Sequence, residues 1–375
     1  MENNNQSAAG KSGLIVCAFC VMDNTDPFIE FDSKGRCNHC KELEDKLKHK
    51  APLKIRKNEL KILASEIKTK GKDKKYDCII GLSGGVDSSY LAYLIVRKLG
   101  LNPLAVHLDN GWNSELAVKN IENITDKLGI DLFTYVVDWE EFKDIQLSYI
   151  KASVVDIEVV SDQAIRNVLI KQAFKFKTLY ILSGNNLRTE GILPKDWIFN
   201  KSDQVNLRSI HNKYGSTEIK SYPQLSDWEL MKVRKLSKIK RINILEYIDF
   251  NKDDAKNLII KELDWRDYGG KHYESIFTRF YQGYILVEKF GIDKRKAHLS
   301  SLIASEQINR NEALKSLSQP PYPNNELLSS DIEFVLKKLN LTHKEFETLM
   351  SMDRVQHSEF DVDKGLISKY VKAFK

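Results

Sequence analysis

Cysteine is scarce and unevenly placed. Five occur in 375 residues, and Cys78 alone lies beyond the first forty. A reactive thiol in the body of the chain therefore has a single candidate. Cys78 sits on an apolar stretch between Asp77 and Ile79. A buried, inert thiol is the expected reading, which argues against sulfur-transfer chemistry. Long apolar runs are also missing: none approaches the ~18 residues that span a bilayer. The opening MENNNQSAAGKSG has no apolar core of a signal peptide. A cytoplasmic protein with no membrane partner is expected. Neither sign of charge dominates, with 58 Lys and Arg against 52 Asp and Glu, a net charge of +6. The basic stretches at 41–75 and 231–241 carry no interleaved aromatics to stack bases. They read as solvated helix faces, and nucleic acid is not the expected partner. Two common phosphate-loop signatures, GxxxxGK[ST] and GxGxxG, are absent. So are internal repeats and low-complexity segments.

What remains is ordinary globular material. Hydrophobic residues make up 42 % and charged residues 29 %, enough apolar content for packed cores. The length predicts two or three units. The expected division is a cysteine-bearing segment over 1–50, a nucleotide-binding domain over 51–250 and a mostly helical region over 251–375. An amphipathic pattern broken near Pro52 links the first two. Strand-like runs follow at YDCIIGL (76–82), LNPLAVHLDN (101–110), DLFTYVVD (131–138) and TLYILSGNN (178–186). Helical patterns separate them: SSYLAYLIVRKLG, SELAVKNIENITDKLG and SDQAIRNVLIKQAFKF. This alternation predicts an α/β fold, a doubly wound parallel sheet covered on both faces. Functional residues belong at the carboxyl ends of its strands.

The first four cysteines are Cys17, Cys20, Cys37 and Cys40, two C-x2-C turns sixteen residues apart. Each turn aims two thiolates at one centre, and two turns complete a tetrahedron. The spacing fits a structural zinc site with no open position for catalysis. Disulfides are disfavoured in a reducing compartment. An iron–sulfur cluster is a weaker alternative. His39 is not needed as a ligand.

The stretch CIIGLSGGVDSSY breaks an apolar run into Ser-Gly-Gly and then starts a helix. Glycines allow close backbone approach and positive φ, and a helix N-terminus presents free N–H groups, so the turn predicts an anion site. SGGVDS matches, at every position, the PP-loop motif of ATP pyrophosphatases, which cleave ATP between its α and β phosphates. By that resemblance Ser83, Gly84, Gly85, Val86, Asp87 and Ser88 bind the departing pyrophosphate, and Asp87 holds Mg²⁺. The second strand, HLDNGW, then lies on the adenine side, with Val106, His107 and Leu108 near the base and Asp109 at the strand end. A packing role for His107 is an equal alternative.

Over nearly its whole length the chain resembles the N-acetyl sugar amidotransferases of bacterial surface-polysaccharide and nonulosonate synthesis. The resemblance rests on CAFCVMDNTDPFIEFDSKGRCNHC, GLSGGVDSSY, ILSGNNLRTEG and YGGKHYESIFTRFYQGYILVEKFGIDKRKAHLSSLI (268–302). It implies an enzyme that converts an acetamido group on a sugar, free or nucleotide-linked, to an acetamidino group. ATP adenylates the amide oxygen, and ammonia displaces AMP. The implied cofactors are ATP, Mg²⁺ and structural Zn²⁺. The implied partner is a separate glutaminase pair resembling that of histidine biosynthesis. A built-in glutaminase would need a nucleophilic Cys with a His, or an N-terminal Cys, and neither is found. A tRNA-modifying PP-loop enzyme is the alternative.

Further candidates follow from the same segments. Asp162 either caps a helix or faces the substrate. Gly184 and Glu190 lie in the loop after the fourth strand, where Asn185 stands at a position more often acidic in such families. Lys271 and His272, with Glu274, sit near a helix start and either cap and solvate it or, as the resemblance implies, serve the site, Lys271 meeting a phosphate or carboxylate and His272 moving protons. Arg279, Lys294, Arg295 and His298 either bind a nucleotide moiety or form a charged helix face.

Overall fold

The computed structural model describes residues 13–233, 239–270 and 273–364. Five parallel strands form one sheet in the order β3-β2-β1-β4-β5. They are β1 (Cys78–Gly81), β2 (Pro103–Asp109), β3 (Leu132–Val136), β4 (Tyr180–Ser183) and β5 (Lys240–Asn243). Successive side chains on a strand point to opposite faces, and the burial follows. Leu104, Val106 and Leu108 join one core, as do Ile79 and Ile181. Ala105 joins the other, with Cys78, Ile80, Leu82, Tyr180 and Leu182. Both faces are therefore filled, as the apolar runs require. The doubly wound α/β class read from the sequence is what the chain adopts.

Helices α1 (Asn38–Lys48) and α2 (Leu53–Gly71) flank the break at Pro52, whose ring suits the start of a helix. Helix α3 (Val86–Tyr93) follows β1 directly and runs on through a π turn at Leu94–Lys98. Helix α4 (Glu115–Leu128) is capped by Ser114 and ends on left-handed Gly129 at φ 64°. Helix α5 (Trp139–Lys151) stands between β3 and the next crossover, and α6 (Val159–Lys175) leads to β4. Beyond β5 the order is helical, including Lys252–Leu263, Arg295–Ala304, Asn325–Leu339 and His343–Ser351. Residues 276–290 form a helix with a π turn at Tyr281–Ile285.

Two features depart from the sequence reading. Helix α5 was not expected, because its run WEEFKDIQLSYIK is rich in charge. Its Glu141 and Asp144 are nonetheless buried, each accepting backbone N–H groups from residues 216–222. The basic stretch at 231–241 is not a helix face throughout. Residues 227–231 are helical, 234–238 lie outside the described residues, and 240–243 form the edge strand β5. Lysine and arginine on an edge strand discourage pairing with another chain. Among the described residues, no helix is long and apolar enough to cross a membrane.

Candidate active site

The loop Ser83–Ser88 joins β1 to α3 at the carboxyl edge of the sheet. Gly84 takes φ 79°, a left-handed conformation, and a Cβ there would stand 2.8 Å from the Ala117 carbonyl oxygen. Gly85 is the helix N-cap residue and brings the backbone against Ser83, Tyr268 and Glu274. Serines tie the loop to itself. Gly85 N donates to Ser83 Oγ at 3.3 Å, Ser83 N to Ser88 Oγ at 3.3 Å, and Ser88 Oγ to the Gly85 carbonyl at 3.1 Å. Ser89 Oγ reaches the same carbonyl at 2.6 Å. Asp87 lies in the first turn of α3. Tight backbone, hydroxyls and a helix start are the parts from which an anion site can be built.

The neighbouring strand ends converge on it. Gly184, after β4, packs so closely that a Cβ would sit 2.9 Å from the Asp87 carbonyl oxygen. Asp109 ends β2 and accepts from Gly111 N at 3.0 Å and Asn113 Nδ2 at 3.3 Å. His107 is buried and bonded at both nitrogens. Nδ1 lies 3.0 Å from the Leu82 carbonyl, so it carries the proton, and Nε2 accepts from Asn113 Nδ2 at 3.1 Å. Burial lowers its pKa, keeping it neutral. His107 thus braces the end of β1. Asn186 is buried and caps the short turn Leu187–Glu190 through Thr189 N, at 3.0 Å, while Asn185 is exposed. Glu190 lies half-buried at the end of that turn.

Asp162 lies in the first turn of α6, and Asn110 Nδ2 to Ser161 Oγ at 3.2 Å ties that turn to the end of β2. Its side chain is 48 % exposed and pairs with Lys201 at 3.1 Å. Desolvation by its neighbours, then the Glu158 and Asp156 carboxylates, raise its carboxyl despite that exposure and the Lys201 ammonium. Lys201 also meets buried Asp156 at 2.6 Å. Burial works against its charge, but the Asp162 and Asp156 carboxylates outweigh that and hold the ammonium above its ordinary range. Glu158 meets Lys294 at 2.9 Å and Gln282 Nε2 at 3.0 Å. Lys294 therefore joins the α6 start, not a solvated face. Arg279 is instead spent on Asp331, at 2.7 Å to each carboxylate oxygen. Arg295 pairs with Asp293, and His298 Nδ1 donates to the Thr189 carbonyl at 2.7 Å.

Lys271 and His272 lie outside the described residues. The segment around them does reach the loop. Trp265 Nε1 donates to the Gly84 carbonyl at 2.7 Å. A Cβ on Gly85 would meet Tyr268 Oη at 3.3 Å and Glu274 Oε1 at 3.6 Å. Burial, then Glu274 and Asp87, push the Tyr268 hydroxyl well above its usual range. Sequence reasoning missed Trp265 and Tyr268. Their only signal is aromatic density just before Gly269-Gly270.

The four cysteines form a separate centre. Their sulfurs lie within 4.8 Å of one another and all four residues are buried. Cys17–Cys40, Cys20–Cys37 and Cys37–Cys40 Sγ separations are 3.5, 3.7 and 3.2 Å. A tetrahedral zinc with ~2.3 Å bonds sets sulfurs about 3.8 Å apart, so the group fits one. Backbone N–H groups of Phe19, Cys20, Met22 and Cys37 point at the sulfurs. His39 Nε2 is taken by Asp26 at 2.6 Å. The knuckle docks on the C-terminal helices. Val21 N donates to Ser300 Oγ at 3.2 Å, Arg310 reaches the Cys17 and Cys20 carbonyls, and Lys296 pairs with Asp23. Cys78 lies in the core with no exposure, and burial pushes its thiol up.

Two family models match separate parts of the chain. Residues 55–188 match the family model "NAD synthase", and residues 274–375 match "LPS biosynthesis protein WbpG-like, C-terminal domain". An uncharacterized protein of Methanocaldococcus jannaschii is 24 % identical over 317 residues, 82 % of this chain and 94 % of that protein. The tRNA(Ile)-lysidine synthase of Chlamydia pneumoniae is 36 % identical over 77 residues, 20 % of this chain and 24 % of the relative. The tRNA-specific 2-thiouridylase MnmA of Clostridioides difficile is 25 % identical over 218 residues, 52 % of this chain and 58 % of the relative. Among solved structures, NMN synthetase from Francisella tularensis covers 62 % of this chain and 93 % of its own, with 18 % identity and a TM-score of 0.31. NH3-dependent NAD synthetase from Campylobacter jejuni covers 81 % and 99 %, with 13 % identity and a TM-score of 0.31. A complete SGGVDS loop, a segment that matches NAD synthase and a C-terminal region that matches the WbpG-like domain thus stand together in one polypeptide.

Proposed function

We propose that this protein is an ATP-dependent amidotransferase that converts the acetamido group of a sugar, free or nucleotide-linked, to an acetamidino group. One observation carries the reading. The WbpG-like region begins at Glu274, and Glu274 itself stands against Gly85 of the phosphate loop. The part of the chain related to surface-glycan synthesis thus meets the part that holds ATP.

The reaction balances without a redox partner. The amide oxygen attacks the α phosphorus of ATP, and pyrophosphate leaves. Ammonia adds to the imidate carbon and loses a proton, and AMP departs with the former amide oxygen. Ser83, Gly84, Gly85 and Ser88 supply hydroxyls and N–H groups for the leaving pyrophosphate. Asp87 is the carboxylate that would hold Mg²⁺, a hard ion suited to oxygen ligands, which neutralises phosphate charge. Asp162 and Lys201 wall the acceptor side, and Glu190 stands in the loop beside it. Val86 starts α3, and Gly184 and Asp109 shape the nucleotide floor. Lys271 and His272 are proposed as phosphate and proton-handling residues. Zinc is proposed at Cys17, Cys20, Cys37 and Cys40. None of the five cysteines is exposed, so ammonia reaches the site from a separate glutaminase or from solution. Two of the relatives are tRNA enzymes by name. An internal thiolation step by this chain would need a reachable thiol, and Cys78 is sealed in the core.

The test is pyrophosphate release from ATP with ammonium chloride and a panel of acetamido sugars and nucleotide-sugars. Release that depends on one sugar, with a product about one mass unit lighter, is expected. Release that depends on bulk tRNA and on no sugar would overturn the reading.

A further inference from the structure

A hollow of about 400 Å³ opens on the outer edge of β5, away from the Ser83–Ser88 loop. Lys50, Arg56, Arg241, Asn243, Glu59 and Glu246 contribute its polar lining. Three cations face two carboxylates. Glu246 is already engaged: it pairs with Lys50 and accepts from Leu187 N at 2.5 Å. Arg56 spends Nε on the Ala51 carbonyl and Nη1 on those of Glu246 and Ile248. Arg241 is different. Its guanidinium has no hydrogen-bond or ion-pair partner among the described residues; the residue is exposed, although the walls of the hollow disfavour its charge. A guanidinium at the wall of a hollow, with all five donors turned to solvent, is free to meet an anion.

We propose that this hollow is a second anion site, in which Arg241 and Lys50 take a phosphate group. A tetrahedral phosphate accepts both the planar fork of Arg241 and the point charge of Lys50. Two sources share this chemistry: free phosphate or pyrophosphate, and the diphosphate of a nucleotide-linked substrate. The site reports to the active site through contiguous bonds. Lys50 holds Glu246, Glu246 holds Leu187 N, and the same loop begins at Gly184 against Asp87. An anion on Lys50 competes with Glu246 for its ammonium.

The experiment is calorimetric titration of the full chain, with the phosphate loop first saturated by a non-hydrolysable ATP analogue. Pyrophosphate and UDP are titrated separately. Wild type is expected to bind one further anion. Arg241→Gln should weaken that binding about tenfold or more, a change of about 1.4 kcal/mol. Arg241→Lys keeps the charge but loses the fork and should bind more weakly than wild type and more tightly than Arg241→Gln. Similar affinity for both anions assigns the site to free phosphate, and UDP binding about tenfold tighter assigns it to a nucleotide diphosphate. No further binding in wild type, or unchanged binding in Arg241→Gln, would overturn the proposal. The readout needs no turnover, so a failed sugar reaction and a failed anion site remain distinguishable.

Discussion

At the scale of single residues, the phosphate loop makes the sharpest demands. Asp87→Asn should abolish pyrophosphate release, by about a hundredfold or more, because it removes the carboxylate proposed to hold the Mg²⁺ that neutralises phosphate charge. Its melting temperature should stay near wild type, and normal turnover would remove Asp87 from the mechanism. Gly84→Ala should lose both stability and release. The left-handed backbone alone costs about 1–2 kcal/mol, and the new methyl would press on the Ala117 carbonyl. Chemical denaturation measures the first effect.

His357 carries a pH prediction. Its Nδ1–H donates to Asn206 Oδ1 at 2.9 Å, which leaves Nε2 bare and buried. Burial lowers its pKa from 6.5 to about 4. The folded state therefore binds fewer protons than the unfolded one in this window. Stability is present above about 6.5 and is lost as pH falls toward about 4, by roughly 3 kcal/mol. His357→Gln should flatten that part of the stability–pH curve. An identical curve would show that His357 is not the titrating group.

At the scale of elements, Arg295–Ala304 is packed between the cysteine knuckle and the loop after β4. One side receives the knuckle through Ser300 and Lys296. The other side holds the loop after β4: His298 bonds the Thr189 carbonyl, and Ser301 Oγ accepts from Ile192 N at 2.9 Å. Chelation of metal from the cysteine site should therefore raise amide exchange at 187–192 as well as at 17–40. Exchange confined to the knuckle would break this link.

Elements also show what could be read from the sequence. β1, β2 and β4 were legible because buried parallel strands are apolar runs closed by turn residues. The turn Ser83–Ser88 was legible because close approach needs its glycines. β5 was not, since an edge strand is half-solvated and its Lys240-Arg241 resembles any charged surface. Helix α5 hid because Glu141 and Asp144 are polar residues in the interior, satisfied by a loop more than seventy residues away. Trp265, Tyr268 and the Arg241 hollow hid for the same reason: tertiary contact, not local pattern, gives them their meaning.

At the scale of the whole molecule, the nucleotide-binding sheet and the C-terminal helices share one core. Phe277, Phe280, Tyr281 and Leu286 pack with Ile79 and Val106. The start of α6 is likewise composite, with Glu158 held by Gln282 and Lys294. A chain cut before Glu274 should thus lose folding, not substrate choice alone. Circular dichroism of the truncated chain, expected to show a broad, non-cooperative melt, checks this. A sharp melt would mean the sheet stands unaided.

The docking of the knuckle has a consequence for synthesis. Cys17 and Cys20 are made early, yet the side chains that receive them, Ser300 and Arg310, follow some 279 to 293 residues later. At about 5–20 residues per second, the ribosome leaves that seat unbuilt for roughly a quarter of a minute to a minute. Through this interval the four thiols can rely on nothing but their own small fold and whatever ion it captures.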